Sequence, residues 1–370
     1  MTGMSASFVD GSRLIIEGAV RAGADVFIGY PITPANLLYS YSSQLFPVVM
    51  PAPDEITTLQ WMSGFSAAGR VPVTATSYPG FALMLESAGM AFMMELPMVI
   101  VLAQRLGPAT GTATCGAQGD ILLLNGMNSG GYSVPVLCPA GLEDCWRLSA
   151  EAVKLSVRLR CPVVLLTSKE MVMTLQSFDL SKLEPVEPLK REYYRGDAPY
   201  LPYAAGADGV PPFLPVGSRS HRVRLTASTH DTKGDLQHST KEALENTRRL
   251  AGKVESNLPG YTFYEYDRQD GADALVIAFD ITAAAARDAV SSLRARGGKV
   301  SLLVPKTLLP VPGVYLELAA GYRRVVVVEE NLGGQYRQIL FGRHGREGVT
   351  GVNSIGRLIS PEEIEREVGA

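Results

Sequence analysis

The segment Pro97–Gln104, PMVIVLAQ, is apolar in every residue but its last. A strand that alternates apolar and polar residues keeps one face in water, whereas a strand without alternation is covered on both. DVFIGY (25–30), VPVTATS (71–77), YSVPVLCPA (132–140) and CPVVLLTS (161–168) read as further strands. Before and between them, GSRLIIEGAVRAGA (11–24), EITTLQWMSGFSAAG (55–69), PGFALMLESAGMAFMME (79–95) and LEDCWRLSAEAVKLSVRL (142–159) place apolar residues at helical spacing. Strand–helix alternation of this kind builds a parallel α/β sheet with helices on both faces. This first unit is expected over residues 1–178.

From there the texture changes. Residues 179–264 scatter Pro, Gly, Tyr and charge with little periodicity. The aromatics of KREYYRGDAPYLPYAAGADGVPPFLPVGSR (190–219) argue for an ordered connector that wraps a surface rather than a free linker. It ends in the polar turn THDTKGDLQHST and an amphipathic helix, KEALENTRRLAGKVES (241–256). A second α/β unit is expected over 265–370. GADALVIAFD reads as a strand, ITAAAARDAVSSLRARG as a helix, KVSLLVPKTLLP as a strand running into a turn, and RRVVVVEEN as a strand ending in acid. Val325–Glu329 shows no alternation and is expected at the centre of its sheet.

Composition excludes several functions. With 46% hydrophobic and 19% charged residues the chain is not wholly disordered. Its 34 Lys+Arg against 37 Asp+Glu ask for neither nucleic acid nor an anionic membrane. Cys115, Cys138, Cys145 and Cys161 show no CxxC spacing and no neighbouring histidine. A zinc ribbon, a ferredoxin-type cluster and a thioredoxin pair are therefore not expected, and no metal site is expected on this chain. Cys138 and Cys161 read as buried thiols in a reducing cytoplasm. The first residues lack the basic start and apolar core of a secretory leader. The most apolar stretch, Met84–Gln104, is broken by Glu86, Glu95 and Pro97 and reads as a buried helix and strand, not a membrane span.

Four loops could carry chemistry, and each has a plainer reading. GYPITP (29–34) sits at the carboxyl end of a strand, where open α/β sheets bind ligands. Thr33 there offers a hydroxyl, although the prolines equally make a rigid turn. Glu55 follows Pro-Asp, so either acid could serve only to complement a helix N-terminus. Arg105 ends a buried strand ahead of the loop LGPATGTATCG, placed to fork onto a carboxylate or phosphate or simply to face water. QGD (118–120) closes that loop, which is no Walker loop. TATSYPGFALM (74–84) runs a strand into a helix whose N-terminus could face an anion or merely connect. His221, His230, His238 and His344 form no HExxH pair, and no GxSxG nucleophile elbow exists.

In order along the chain, these motifs resemble the alpha subunit of the thiamine diphosphate-dependent 2-oxoacid:ferredoxin oxidoreductases. EGAVRAGADVFIGYPITPAN is similar to that family's opening helix–strand–YPITP block, and DEITTLQWMSGFSAAGRVPVTATSYPGFALM to its acidic helix and TATSGPGFSLM-like block. QRLGPATGTATCGAQGDI resembles its arginine loop, THDTKGDLQHST its His-Asp-x-x-Gly turn, and VVVVEENLGGQ its EMNxGQ-type ending. The resemblance implies a pyrimidine-binding thiamine diphosphate unit followed by a transketolase C-terminal-like unit. It implies that Glu55 hydrogen-bonds the aminopyrimidine so that the cofactor can ionise at its thiazolium carbon. Pro31, Ile32, Thr33 and Tyr78 would adjoin the cofactor. Thr33 and Arg105, with Leu106, Ala109 and Thr110, would receive the 2-oxoacid, 2-oxoglutarate before others. Coenzyme A would take the acyl group and ferredoxin the electrons.

The Gly-Asp-Gly…Asn pattern that holds the diphosphate and Mg2+ is missing. In the family it lies on a beta subunit that also carries a [4Fe-4S] cluster, so the resemblance implies half of a shared site within a heterotetramer. Tyr78, Leu106, Ala109 and Cys115 depart from the family's usual residues and imply a less polar substrate region. The fused domain that some members carry ahead of this block is not expected. A branched-chain or aromatic 2-oxoacid, a thiamine-dependent decarboxylase half-subunit without redox partner, and a non-catalytic scaffold are the rival readings.

Overall fold

The computed structural model describes residues 6–369; the reading of the first five residues as no secretory leader lies outside the described residues. The chain runs β1 (Ala6–Val9), α1 (Gly11–Arg21), β2 (Val26–Gly29), α2 (Asn36–Leu45), β3 (Val48–Pro51), α3 (Glu55–Ala67), β4 (Pro72–Thr76) and α4 (Tyr78–Met93). It continues β5 (Met98–Gln104), α5 (Ile121–Asn125), β6 (Val136–Leu137), α6 (Leu142–Leu159), β7 (Pro162–Ser168), α7 (Lys169–Met173) and β8 (Gln176–Asp179). After a long stretch with little regular structure come α8 (Lys241–Ser256), β9 (Tyr264–Asp267), β10 (Ala274–Ala278), α9 (Thr282–Ala295), β11 (Val300–Pro305) and β12 (Thr307–Leu309). The last elements are α10 (Gly313–Ala320), β13 (Arg324–Glu329), α11 (Gln335–Phe341), β14 (Val349–Asn353) and α12 (Pro361–Gly369).

Seven strands form the first sheet in the order β12-β6-β7-β5-β4-β2-β3. All pair in parallel except β12, which meets β6 antiparallel. Every residue of β4, β5 and β7 is buried, as unalternating strands covered on both faces must be. Helices α1 and α6 pack together, as do α3 and α4. A Cβ added to Gly18 of α1 would stand 2.4 Å from Ser149 Oγ of α6, so glycine sets the closeness of that pair. Chain order and spatial order part at β2, with β3 on one side and β4 on the other. A crevice opens at the carboxyl ends of such a pair.

The second sheet has the order β14-β13-β10-β11-β9, parallel but for β9. Strand β13 is interior, as its lack of alternation requires, although β10 takes the middle position. Two expectations need correction. The strand expected over 132–140 is only Val136–Leu137, because Pro135 and Pro139 bracket it and cannot donate to a ladder. The turn expected after KVSLLVP continues as β12, which leaves its own unit to close the edge of the first sheet. Cys138 N–H donates to Lys306 O there, at 2.8 Å.

The connector is held to the amino ends of the first sheet. Leu189 N–H donates to Ala22 O at 2.9 Å, and Arg160 Nη1 donates to the carbonyls of Pro202, Pro211 and Pro212. Glu95, fully buried just ahead of β5, accepts from Lys253 Nζ at 2.7 Å and forms a two-pronged pair with Arg249, both on α8. Burial pushes this carboxyl up, but Lys253, Arg249 and Arg160 more than reverse that and hold it at about 2.

Candidate active site at the carboxyl edge of the first sheet

Two acids compete at the start of α3, and the structure separates their work. Asp54 is the N-cap and accepts from Thr57 N–H at 2.6 Å. Glu55, one residue on, is not needed for capping. It is 7% exposed, and its carboxylate has no hydrogen-bond partner among the described residues. The start of α4 closes over it. A Cβ on Gly80 would stand 2.3 Å from Thr76 Oγ1 and 2.5 Å from Glu55 Oε1. Gly80 is thus a site residue that the sequence reasoning did not single out, although a glycine two residues into a helix is a visible signal. Tyr78, half-buried, opens this helix, and Ser77 occupies the N-cap without using its hydroxyl, which is buried and unpartnered.

Arg105, 7% exposed, follows β5 and reaches across to the first motif. Its Nη1 donates to Thr33 O at 2.5 Å, so the arginine loop and the YPITP turn form one wall. Nε is buried without a partner, which leaves Nη2 as the nitrogen open to the crevice. The Thr33 side chain is half-buried and its hydroxyl has no partner among the described residues. Pro31 is exposed and Ile32 packs on the core. Glu55 makes no hydrogen bond to Thr33 or Arg105; the three come together by following β3, β2 and β5 out of the same sheet edge.

Beyond Arg105 the loop folds back on itself. Leu106 N–H donates to Cys115 O at 2.8 Å and Thr112 N–H to Leu106 O at 2.9 Å. Gly111 has φ +45°, and a Cβ on it would overlap Leu106 O at 1.6 Å, so only glycine fits. Ala109 and Thr110 are exposed at the tip, whereas Leu106 and Cys115 are half-buried at the base.

The end of this loop is clamped by the second unit. Gln118 N–H donates to Glu330 O and Glu330 N–H to Gln118 Oε1, both at 2.8 Å. Gln118 Nε2 donates to Phe279 O at 2.8 Å, and Asn331 Nδ2 to Gln118 O at 3.0 Å. Glu329 accepts from Tyr336 and Arg337 N–H at the start of α11. The terminal EEN run is therefore a docking piece for the arginine loop. Asp120 ends the clamp. Its N–H donates to Gln104 Oε1 at 3.1 Å, while its carboxylate Oδ2 and Gln104 Nε2 are buried without partners. Burial pushes the Asp120 carboxyl up to about 7, with Arg105 acting against it. Burial in turn lowers the Arg105 guanidinium, and Asp120 opposes that. Glu330 is likewise pushed up to about 7 by burial, and buried Asp280 well above the usual carboxylate range.

His230 of the His-Asp-x-x-Gly turn is buried against Tyr203 and bonded to Ser228 O. Asp231 Oδ1 accepts from Lys233 and Asp235 N–H. That motif shapes the connector and stands apart from the crevice.

Residues 17–250 match the family described as pyruvate flavodoxin/ferredoxin oxidoreductase, thiamine diphosphate-binding. The chain belongs to this family of 2-oxoacid:ferredoxin oxidoreductases. Residues 272–364 match core domain II of pyruvate:ferredoxin oxidoreductase. The 2-oxoglutarate synthase subunit KorA of Methanocaldococcus jannaschii is 31% identical, over 99% of this chain and 100% of that one. The ketoisovalerate oxidoreductase subunit VorB of Methanothermobacter thermautotrophicus is also 31% identical, over 99% of this chain and 97% of that one. Among solved structures, the 2-oxoglutarate:ferredoxin oxidoreductase of Magnetococcus marinus, with 2-oxoglutarate, coenzyme A and succinyl-CoA bound, superposes with a TM-score of 0.93 at 29% identity. That match covers 98% of this chain, which spans 65% of the Magnetococcus chain. A split-gene transketolase chain, 14% identical with a TM-score of 0.56 over 98% of both chains, shares the fold.

Among the oxidoreductases of this family, then, the chain supplies the unpartnered carboxylate of Glu55 and the cradle of Gly80. An acceptor without a donor, on a residue only 7% exposed, fits a protonated ring nitrogen of thiamine diphosphate. No helix among the described residues is long and apolar enough to cross a membrane.

Proposed function

We propose that this chain is the alpha subunit of a 2-oxoacid:ferredoxin oxidoreductase that decarboxylates a 2-oxoacid, 2-oxoglutarate first among candidates, and passes the acyl group to coenzyme A. The observation that supports this reading is the Glu55 carboxylate, without a hydrogen-bond partner and packed against Gly80, at the same carboxyl edge of the sheet as an Arg105 bonded to Thr33 O. Glu55 would hold the pyrimidine ring of thiamine diphosphate and stabilise the tautomer that takes up a proton. Held there, thiamine diphosphate would supply the nucleophilic carbon and the electron sink that decarboxylation of a 2-oxoacid needs. Arg105 Nη2 and the Thr33 hydroxyl orient the substrate carboxylate, and the loop Leu106–Thr110 with Cys115 surrounds its side chain. Tyr78 and Ile32 help exclude water from the crevice.

This half-site calls for a partner. Ile56 and Trp61 on α3 and Leu83 on α4 are 44%, 37% and 52% exposed, apolar side chains that suit a subunit interface. In this reading a beta subunit brings the diphosphate and Mg2+ site and a [4Fe-4S] cluster, ferredoxin accepts the electrons, and two such pairs make a heterotetramer. The complex works in the cytoplasm, where the four free thiols stay reduced.

The substrate is the open choice, because the glutarate-type and isovalerate-type relatives are equally similar at 31%. Leu106 and Ala109 favour the less polar side chain as a second reading. A panel of 2-oxoglutarate, pyruvate, branched-chain and aromatic 2-oxoacids decides, assayed with coenzyme A and a viologen acceptor on the co-purified complex. Turnover of none of them, by a complex that binds thiamine diphosphate, would sink the proposal.

A further inference from the structure

Chain order and spatial order part in the second sheet as they do in the first. From β10 the chain runs to β11 on one side and later returns to β13 on the other. The carboxyl ends of β10 and β13 therefore border the crevice where an open α/β sheet takes a ligand. Here a residue of the first unit fills it. Phe279 directly follows β10, and Glu330 directly follows β13. Gln118 Nε2 donates to Phe279 O and Gln118 Oε1 accepts from Glu330 N–H, both at 2.8 Å. The Gln118 backbone enters the same crevice, its N–H donating to Glu330 O and its carbonyl accepting from Asn331 Nδ2. Gln118, Phe279 and Glu330 are all buried, so the crevice is closed over this residue. We infer that the second unit holds the arginine loop as it would a ligand, with Gln118 as the positioning residue through which it sets the affinity of Arg105 for substrate. This inference rests on the reading of Arg105 as the residue that receives the 2-oxoacid carboxylate.

The match of groups carries the argument. A glutamine amide offers a donor and an acceptor in fixed geometry, and here they meet the free carbonyl of one strand end and the free N–H of its neighbour. A side chain that only filled space would use neither. The route back to Arg105 is short. Leu106 N–H, next in the chain, donates to Cys115 O at 2.8 Å, and Cys115 N–H donates to Thr112 O at 3.1 Å. Gly116 N–H donates to Glu170 Oε1 at 3.1 Å, two residues ahead of Gln118. Residues 107–112 are exposed at the tip, so the loop takes its position from its two roots, Arg105 at the end of β5 and Gln118 in the second unit. Gln335 of α11 supports the second root. Its Nε2 donates to Gly119 O at 2.8 Å and its Oε1 accepts from Leu122 N–H at 3.1 Å. A small displacement of that root moves the wall that must meet a substrate carboxylate, and misplacement by about 1 Å is enough to weaken such a contact severely.

The test uses the co-purified complex and two readouts. Gln118→Met keeps the length of the side chain but removes its donor and its acceptor. Amide hydrogen exchange at Leu106 and Thr112 should quicken by about tenfold or more. KM for the 2-oxoacid that the complex turns over should rise by about 10–100-fold, while kcat and thiamine diphosphate affinity change less. Gln335→Leu should show the same two changes, smaller in size. Exchange at wild-type rates in Gln118→Met overturns the inference. So does faster exchange with an unaltered KM, and so does a joint loss of kcat, thiamine diphosphate affinity and KM, which marks a merely structural residue. If Gln118→Met does not assemble, Gln335→Leu decides by the same readouts. Arg105→Ala separates the two levels. An unchanged KM in that variant defeats the reading of Arg105 itself. A raised KM there, beside an unaltered KM in Gln118→Met, defeats only the role of Gln118.

Discussion

Glu95 and Asp120 stand at the two ends of the same strand, β5, and both are buried carboxylates. Glu95, at the amino end, faces Arg249, Lys253 and Arg160. Asp120, at the carboxyl end, makes no ion pair among the described residues and keeps a buried oxygen without any partner. The first is saturated and ties the connector to the sheet. The second is unsaturated and sits where ligands bind. Complete pairing identifies the acid that builds the fold; the shortfall identifies the edge that waits for something else.

The largest effect should come from the saturated end. Glu95→Gln leaves the buried Lys253 and the half-buried Arg249 without their acid and should cost about 3–5 kcal/mol in denaturant unfolding. A loss below about 1 kcal/mol would mean that the amino edge is not the structural one. Next comes the carboxyl edge. Glu55→Ala should lower decarboxylation by about 10²–10⁴-fold while the complex assembles and melts as before. A fall in stability matching that of Glu95→Gln would erase the distinction between the two edges. Arg105→Ala should raise KM for the 2-oxoacid by about 1.5–3 kcal/mol of lost charged hydrogen bonding, with kcat less affected. Gly80→Ala, which pushes a methyl towards Glu55 and Thr76, should cost about 1–3 kcal/mol and weaken thiamine diphosphate binding by calorimetry.

The smallest effect is a sign. Asp120 and Glu330 are raised to about 7 in the folded chain, above their ordinary values of 3.8 and 4.5. Between those limits the folded state holds protons that the unfolded state has released, so stability falls as pH rises towards 7. Glu95 behaves oppositely. Its contribution is complete above the ordinary value of 4.5 and fades as pH falls towards 2. Urea melts should therefore show greater stability at about pH 5 than at about pH 7, with the loss coming at more acid pH. A curve rising steadily from pH 5 to 7 would show that the carboxyl-edge acids are not buried as described.

Much of this was legible in the chain. Unalternating strands such as Met98–Gln104 and Pro162–Ser168 announce a sheet covered on both faces, and Thr33 and Arg105 each follow a strand that the pattern shows. Short or weakly patterned elements were not. Asn36–Leu45 is rich in Ser and Tyr, modest helix formers, and Val48–Pro51 is too short to show a period, so α2 and β3 went unread. The buried setting of Asp120 was hidden for another reason. QGD has no local periodicity to give it away, and its setting depends on Gln104 and Gln335, the latter 215 positions further along the chain. The same holds for β12, whose partner β6 belongs to the other unit.

The bonds of Gln118 to Phe279 and Glu330 make the arginine loop common property of two units that are distant in sequence. Exchange of parts between relatives is constrained accordingly. A chimera that takes its last hundred or so residues from another enzyme imports a different seat for the loop and, on the proposed substrate role of that loop, a different substrate preference, without any change within residues 105–120. On that proposal selectivity is inherited from two places at once, and only a graft that moves both together would carry it intact.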